Sequence, residues 1–184
     1  MKELSLHILD IIQNSIKANA SFIQLEILEC PSRNELNIRI EDNGCGMDEA
    51  TLKKARSPFG TSRTTRKVGL GIPMFEQSAI ATGGSFEITS QVGVGTVVTA
   101  RYVLDSIDRA PMGDIAGTVH SLVMMNTSLD FRFLYQFETE KFLFDTREVR
   151  EVLGDVPLNA PDVAAWIKEN LYDGIQELFG GVER

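Results

Sequence analysis

Residues 22–27 and 36–42 alternate apolar and polar side chains one by one, and this period of two is the tightest constraint in the chain. In SFIQLEILE, Ile23, Leu25 and Ile27 fall on one side and Phe22, Gln24 and Glu26 on the other. In LNIRIED, Leu36, Ile38 and Ile40 share one side. Successive residues of a strand point to opposite faces, so these segments predict a sheet with one buried face and one wet face. The stretch between them, CPSRNE, holds Pro31, Ser32 and Asn34, which break a strand, so the two segments pair as a hairpin. The buried face needs a cover, and residues 2–19 supply one: Leu4, Ile8, Ile11, Ile12 and Ile16 recur at helical spacing.

The same two periods recur downstream. Residues 48–56 suit a short helix capped by Asp48, and residues 72–82 a helix with Ile72, Phe75 and Ala79 on one face, ended by Gly83-Gly84. SFEITSQ and GTVVTARYVL read as strands joined by the glycine-rich VGVG. From Arg56 to Gly71 the chain is dense in Pro, Gly, Ser and Thr and reads as a loop. Composition shifts at DSIDRAP, residues 105–111, which places a boundary there: a first domain of residues 1–104, then a small α+β unit of residues 105–184. In that unit a helix is expected over 112–125. In the following strand, LDFRFLYQF, Phe131, Phe133, Tyr135 and Phe137 alternate, and FLFD returns as a hairpin. Helices over 146–153 and 160–179 close the chain, the latter striped by Val163, Ile167, Leu171, Ile175 and Leu178. An aromatic strand face of this kind is core, or a dimer or partner surface if left exposed.

Charge narrows the partners. The net charge is −8 and the isoelectric point about 4.8, so the surface repels phosphate backbones and nucleic acid is not an expected partner. The two cysteines, Cys30 and Cys45, have no further ligand residues at zinc spacing. No apolar run approaches the ~18 residues of a membrane span. A cytoplasmic protein with reduced thiols is the expectation.

Three segments carry candidate chemistry. In the first helix Glu3, His7, Asp10, Asn14 and Lys17 recur at steps of four and three and so share a face. That stripe is either the solvated side of the helix or a set of groups aimed at one ligand. Asp42 ends a strand and precedes Gly44 and Gly46. An Asp there can accept a hydrogen bond from an exocyclic amine while glycines let a flat base approach, although Asp-Asn-Gly is also a common plain turn. Gly69 and Gly71 stand before a helix, where backbone amides and the helix dipole suit phosphate. From Lys53 to Lys67 the chain holds Lys53, Lys54, Arg56, Arg63, Arg66 and Lys67 with no acid, either a solvated run or a cationic lid over a polyphosphate.

The order of these features is more specific than any one of them. DIIQNSIKANA, DNGCGM, PFGTSRTTRKVGLGI and ATGGSFEITSQVGVGTVVTARY follow one another in register and resemble the ATP-binding domain of the GHKL superfamily. That superfamily holds gyrase B subunits, ninety-kilodalton heat-shock chaperones, sensor histidine kinases and MutL mismatch-repair proteins. The resemblance covers roughly residues 2–104. It is greatest to histidine kinases and anti-sigma-factor serine kinases, with MutL-like character in the first two motifs.

The resemblance implies a Bergerat-type α/β two-layer sandwich, a mixed sheet with helices on one face, binding ATP and Mg2+. Asn14 then matches the magnesium ligand, Lys17 a phosphate contact and Asp10 the general base. Asp42 matches the adenine reader, with Gly44, Gly46, Met47 and Thr96 around the base. Arg63, Thr64, Lys67, Gly69, Leu70 and Gly71 match the lid and phosphate cradle. Two departures stand out. The general base is Glu in hydrolysing members and serine kinases, and Asp10 is one methylene shorter. Lys67 replaces the first glycine of the kinase lid.

The histidines are His7 and His120, and neither is followed by the acid and proline of a phosphoacceptor helix, so an autophosphorylating sensor kinase is not expected. His7 either orients Asp10 or stands as a supporting or solvent-facing group. The resemblance implies a signalling regulator, a stand-alone serine/threonine kinase-like protein acting on a protein partner. The alternatives are a MutL-like ATPase switch driven by lid closure and homodimer formation, and a non-catalytic ATP sensor.

Overall fold

The computed structural model describes residues 3–57 and 70–180. Helix α1 (Leu4–Lys17) leads into β1 (Phe22–Cys30) and, after a 3-10 turn at Pro31–Arg33, β2 (Glu35–Asp42). Next come α2 (Glu49–Arg56), α3 (Gly71–Ala81), β3 (Ser85–Gln91) and β4 (Gly95–Val103). The remainder supplies α4 (Ile115–Met125), β5 (Asp130–Phe137), β6 (Glu140–Asp145), α5 (Thr146–Leu153) and α6 (Pro161–Leu178).

Six strands make one mixed sheet in the order β3-β4-β2-β1-β5-β6. The expected hairpin is present: Leu25 lies opposite Ile40 and Ile27 opposite Ile38 in antiparallel register. β4 runs antiparallel to both β2 and β3, and β6 antiparallel to β5. One junction is parallel, β1 against β5, with Leu25 opposite Phe133 and Ile27 opposite Tyr135. The hairpin of residues 130–145 therefore continues the sheet that the N-terminal strands begin.

Alternation decides which side is covered. Ile23, Leu25, Ile27, Leu36, Ile38 and Ile40 are buried, and so are Phe131, Phe133 and Tyr135, which makes the aromatic strand face core. Leu4, Ile8, Ile11 and Ile12 of α1, Ile72, Phe75 and Ala79 of α3, Val119 and Leu122 of α4, and Ile167 and Leu171 of α6 join them in one continuous apolar core. The architecture is the expected two-layer α/β sandwich. On the opposite, wet face of the sheet Arg39 stands between Glu26 and Glu41.

Two details tie the C-terminal elements in. The Glu138 carboxylate accepts from the Ser32 backbone N–H at 2.6 Å and the Ser32 hydroxyl at 2.9 Å, fastening the β5–β6 turn to the β1–β2 turn. Helix α4 starts at Ile115, three residues later than its apolar pattern suggests. The reason is local: the Asp114 carboxylate accepts from the Gly117 N–H at 2.8 Å and caps the helix there.

Candidate functional site

A cavity of about 320 Å³ opens above the end of β2. Its floor is apolar, made by Ile11, Ile40, Ile72, Ile88 and Val98, and its polar groups are few: Asn14, Ser15, Asp42, Thr51 and Thr96. An apolar concavity with a small number of placed polar groups is how a small-molecule site is built.

Asp42 is the fixed point of this site. It is 8% exposed. Its Oδ2 accepts from the Ser15 hydroxyl at 2.6 Å and its Oδ1 from the Gly44 backbone N–H at 2.9 Å. Each carboxylate oxygen has two lone pairs, so both oxygens keep room for one more donor. The plain Asp-Asn-Gly turn therefore understates this residue: its carboxylate is held by the helix in front of it. Asn43 does the turn's work, its Oδ1 accepting from the backbone N–H groups of Ser21 and Phe22, each at 2.9 Å.

Glycines let three segments converge on the cavity. Gly46 has φ 67°, and a Cβ there would run into the Gln91 carbonyl. Gly95 has φ 137°, and a Cβ there would run into the Asp42 carbonyl. Side chains rarely adopt either conformation. The loop after β2 and the β3–β4 turn thus close on each other, and the Gly93 N–H donates to the Cys45 carbonyl at 2.8 Å. Gly44 packs against the end of α1, where a Cβ would lie 2.8 Å from that of Ala18. Thr96 Oγ1 lies 2.8 Å from Ser90 Oγ, and Ser90 Oγ accepts from the Met47 N–H at 2.8 Å.

The polar stripe of α1 divides. Asn14 is half-buried and reaches the cavity, while Asp10 and Lys17, one turn to either side, are exposed. Gly71 opens α3 against Asp10: a Cβ on it would stand 3.0 Å from the Asp10 Cβ. The N-terminus of α3 and Asp10 therefore meet next to the cavity, with Leu70 exposed just before them. His7 does not face solvent. It is 2% exposed and stacks on Phe75, ring centroids 5.6 Å apart at 20°. Burial pushes its imidazole below the ordinary value of 6.5, against the opposing pull of the Asp10 carboxylate. Its Nδ1 is buried with no hydrogen-bond partner among the described residues.

Of the expected site residues, Asn14, Asp42, Gly46, Met47 and Thr96 line one cavity. Gly44 packs behind Asp42, while Asp10, Gly71, Leu70 and Lys17 lie outside its lining. Arg63, Thr64, Lys67 and Gly69 lie outside the described residues, as does most of the basic loop. Two described bases of the cationic run, both on α2, are engaged: Arg56 pairs with Glu76 at 2.5 Å and Lys53 with Glu49 at 2.6 Å. Cys45 is exposed on the cavity rim.

Sequence reasoning missed Ser15 and Ser90. Ser15 lies off the polar stripe, beside Ile11, Ile12 and Ile16. Its one signal is a small hydroxyl where the apolar pattern calls for an aliphatic. Among the described residues no helix is long and apolar enough to cross a membrane, and no three His, Cys, Asp or Glu residues gather as a metal cluster.

Residues 2–106 match the family model described as histidine kinase-, DNA gyrase B-, and HSP90-like ATPase. A putative sensor protein of Shewanella frigidimarina is 32% identical over 103 residues, 55% of this chain and 16% of that protein. The sensor protein kinase FleS of Pseudomonas aeruginosa is 33% identical over 108 residues, 59% of this chain and 26% of that protein. The matched stretch thus spans about a quarter or less of these relatives' length. The N-terminal domain of a DNA repair protein superposes with a TM-score of 0.54 at 16% identity, over 98% of this chain and 58% of that one, a likeness of fold.

Proposed function

The chain belongs to the family of histidine kinase-, DNA gyrase B-, and HSP90-like ATPases, and on that premise we propose that it binds ATP in the cavity at Asp42 and acts as a cytoplasmic, serine/threonine kinase-like regulator of a protein partner. The cavity fits an aminopurine: its aliphatic floor suits the faces of a flat base, and the open lone pairs on Asp42 suit an exocyclic amine. Thr96 and Met47 flank that base.

The observation that carries the catalytic half of the reading is the approach of Gly71 to Asp10, one turn from Asn14. The first N–H groups of α3 have no partner within the helix and suit phosphate oxygens, and Gly71 leaves them unobstructed. Phosphates placed there would lie beside Asp10, the candidate base, with Asn14, the candidate magnesium ligand, one turn further along α1. Asn14 offers one hard oxygen, so Mg2+ would complete its shell from phosphate and water. When bound, it would neutralise phosphate charge. Asp10 is exposed and able to take the proton of an acceptor hydroxyl. Lys17, at the end of α1, adds a cation one turn beyond Asn14.

Calorimetry of ATP with Mg2+ on wild type and Asp42→Asn, followed by incubation with labelled ATP, tests this. Binding that Asp42→Asn loses supports the site. Absence of binding by the wild type overturns it. Phosphate release without a partner, lost in Asp10→Asn while binding persists, points to an ATPase switch instead. No turnover with any hydroxyl acceptor, unchanged by Asp10→Asn, leaves a sensor and rejects the kinase role.

A further inference from the structure

Helices α5 and α6 and strand β6 do not close fully on one another. Between them lies a groove of about 370 Å³ walled by Leu143, Val149, Val152, Leu153 and Trp166. Val152 is 88% exposed, Trp166 51% and Leu143 42%. Large apolar groups gathered in one concave place, rather than scattered, mark a binding surface. Its rim is acidic. Glu148 stands in the wall, and on α6 Asp162, Glu169 and Asp173 recur at helical spacing from Trp166 and share its side. Most described bases of the region have a partner: Arg147 pairs with Asp145 in the groove wall, Arg150 with Asp130 and the Thr127 carbonyl, and Lys168 stands over the Tyr172 ring. Lys141, two residues before Leu143 on β6, is the exception.

The geometry points to this groove as the docking site for a basic amphipathic helix of a partner protein, apolar anchors against Trp166 and Val152 and Lys or Arg toward the rim. Charge selects that occupant. A second copy related by a two-fold axis would set one acidic rim against another. Nucleic acid and anionic lipid carry the rim's own sign. A helix whose apolar face is bordered by cations satisfies both the floor and the rim. The groove is separate from the cavity at Asp42 and shares no lining residue with it, so the inference stands independently of the nucleotide reading.

Trp166 is the chain's one tryptophan, so fluorescence reads this groove directly. The probe is a Leu/Lys peptide of about 18 residues, long enough to hold a helix, with Leu at i, i+3, i+4 and i+7. A Leu/Glu peptide of the same pattern is its control. The full chain titrated with the Lys peptide should show a saturable blue shift, with the Glu peptide about tenfold weaker. Val152→Ser, at an exposed position that the fold does not need, should weaken the Lys peptide about fivefold. Glu148→Lys should weaken the Lys peptide about threefold and strengthen the Glu peptide. Asp42→Asn should leave both unchanged. Equal affinity for the two peptides overturns the proposal, as does no shift with either. So do amide shifts that map away from Leu143, Val152 and Trp166. Concentration-dependent dimerisation abolished by Val152→Ser would assign the groove to a second copy and overturn it as well.

Discussion

Ser15→Ala tests how Asp42 is held. The Ser15 hydroxyl donates to Asp42 Oδ2 at 2.6 Å, and both side chains are buried. A hydrogen bond to a charged acceptor contributes about 1.5–3 kcal/mol. The lower half of that range applies, because Asp42 keeps the Gly44 N–H and water entering the cavity can replace part of what is lost. The expected loss is therefore about 1.5–2 kcal/mol. For a chain of this size each kcal/mol moves Tm by about 2–4 °C, so melting followed by calorimetry should fall by about 3–8 °C. Loss of the fixed orientation should also weaken ATP about tenfold, or about 1.4 kcal/mol. The decisive comparison is the double-mutant cycle with Asp42→Asn. Unconnected sites add to within about 0.3–0.5 kcal/mol, whereas two ends of one buried bond should couple by about 1 kcal/mol or more. Additive melting losses together with an unchanged ATP affinity would refute the idea that α1 positions this carboxylate.

Gly95→Ala should cost more than about 2 kcal/mol, since the left-handed backbone and the Asp42 carbonyl both exclude a Cβ; a melting shift within error would contradict the convergence of the three loops. His7 should make the chain acid-sensitive. Its folded value lies below 6.5, so unfolding takes up a proton, and stability falls as pH drops through that value toward the folded one. His7→Phe should flatten this limb of the stability–pH curve in urea titrations and leave stability above it equal or raised, because a buried unpaired nitrogen is removed; an unchanged slope would refute it. Glu76→Ala should shift melting by no more than about 1 kcal/mol, since its pair with Arg56 is partly exposed, and a larger loss would give α2 a greater structural role than that pair can supply.

The strands and helices were legible because each is governed by a local period. Ile23 to Ile27 and Phe131 to Tyr135 state which face is buried without reference to anything else in the chain. The parallel contact of β1 with β5 has no such signature, since no turn joins the two strands. That Asp42, Gly46 and Thr96 gather at one cavity was legible from motif order, because glycines and a strand-ending carboxylate leave local marks. His7 was not: its helical spacing matches that of Asp10 and Asn14, and only the arrival of Phe75 on α3 decides that it is buried. Ser15 was hidden for the opposite reason, as its position looks apolar until Asp42 is brought beside it. Lys53 and Arg56 read as part of a cationic run, but Glu49 and Glu76 reach back to them across a turn and across a helix pair.

The placement of β5 has a consequence for how the molecule avoids its neighbours. Every residue lining the cavity at Asp42 lies at or before Val98. Those residues come with β1 paired on one side only; its other side, from Phe22 to Glu29, finds its partner in β5, and Gln24 and Arg132 are 108 residues apart. A fragment that stopped after β4 would contain the whole cavity lining and a bare row of N–H and C=O groups on a flat, aliphatic strand, the template on which chains stack edge to edge. The hairpin of β5 and β6 covers that row and moves the sheet's border outward to the short β6. Because closing a long loop costs only slightly more than closing a short one, this distant guard is inexpensive to recruit, though it reaches its post late in folding. The cavity lining and the cover of this edge thus come from separate stretches of the chain, residues 11–98 and 130–145, and a change that loosens β5 should appear first as aggregation, with the cavity lining still in place.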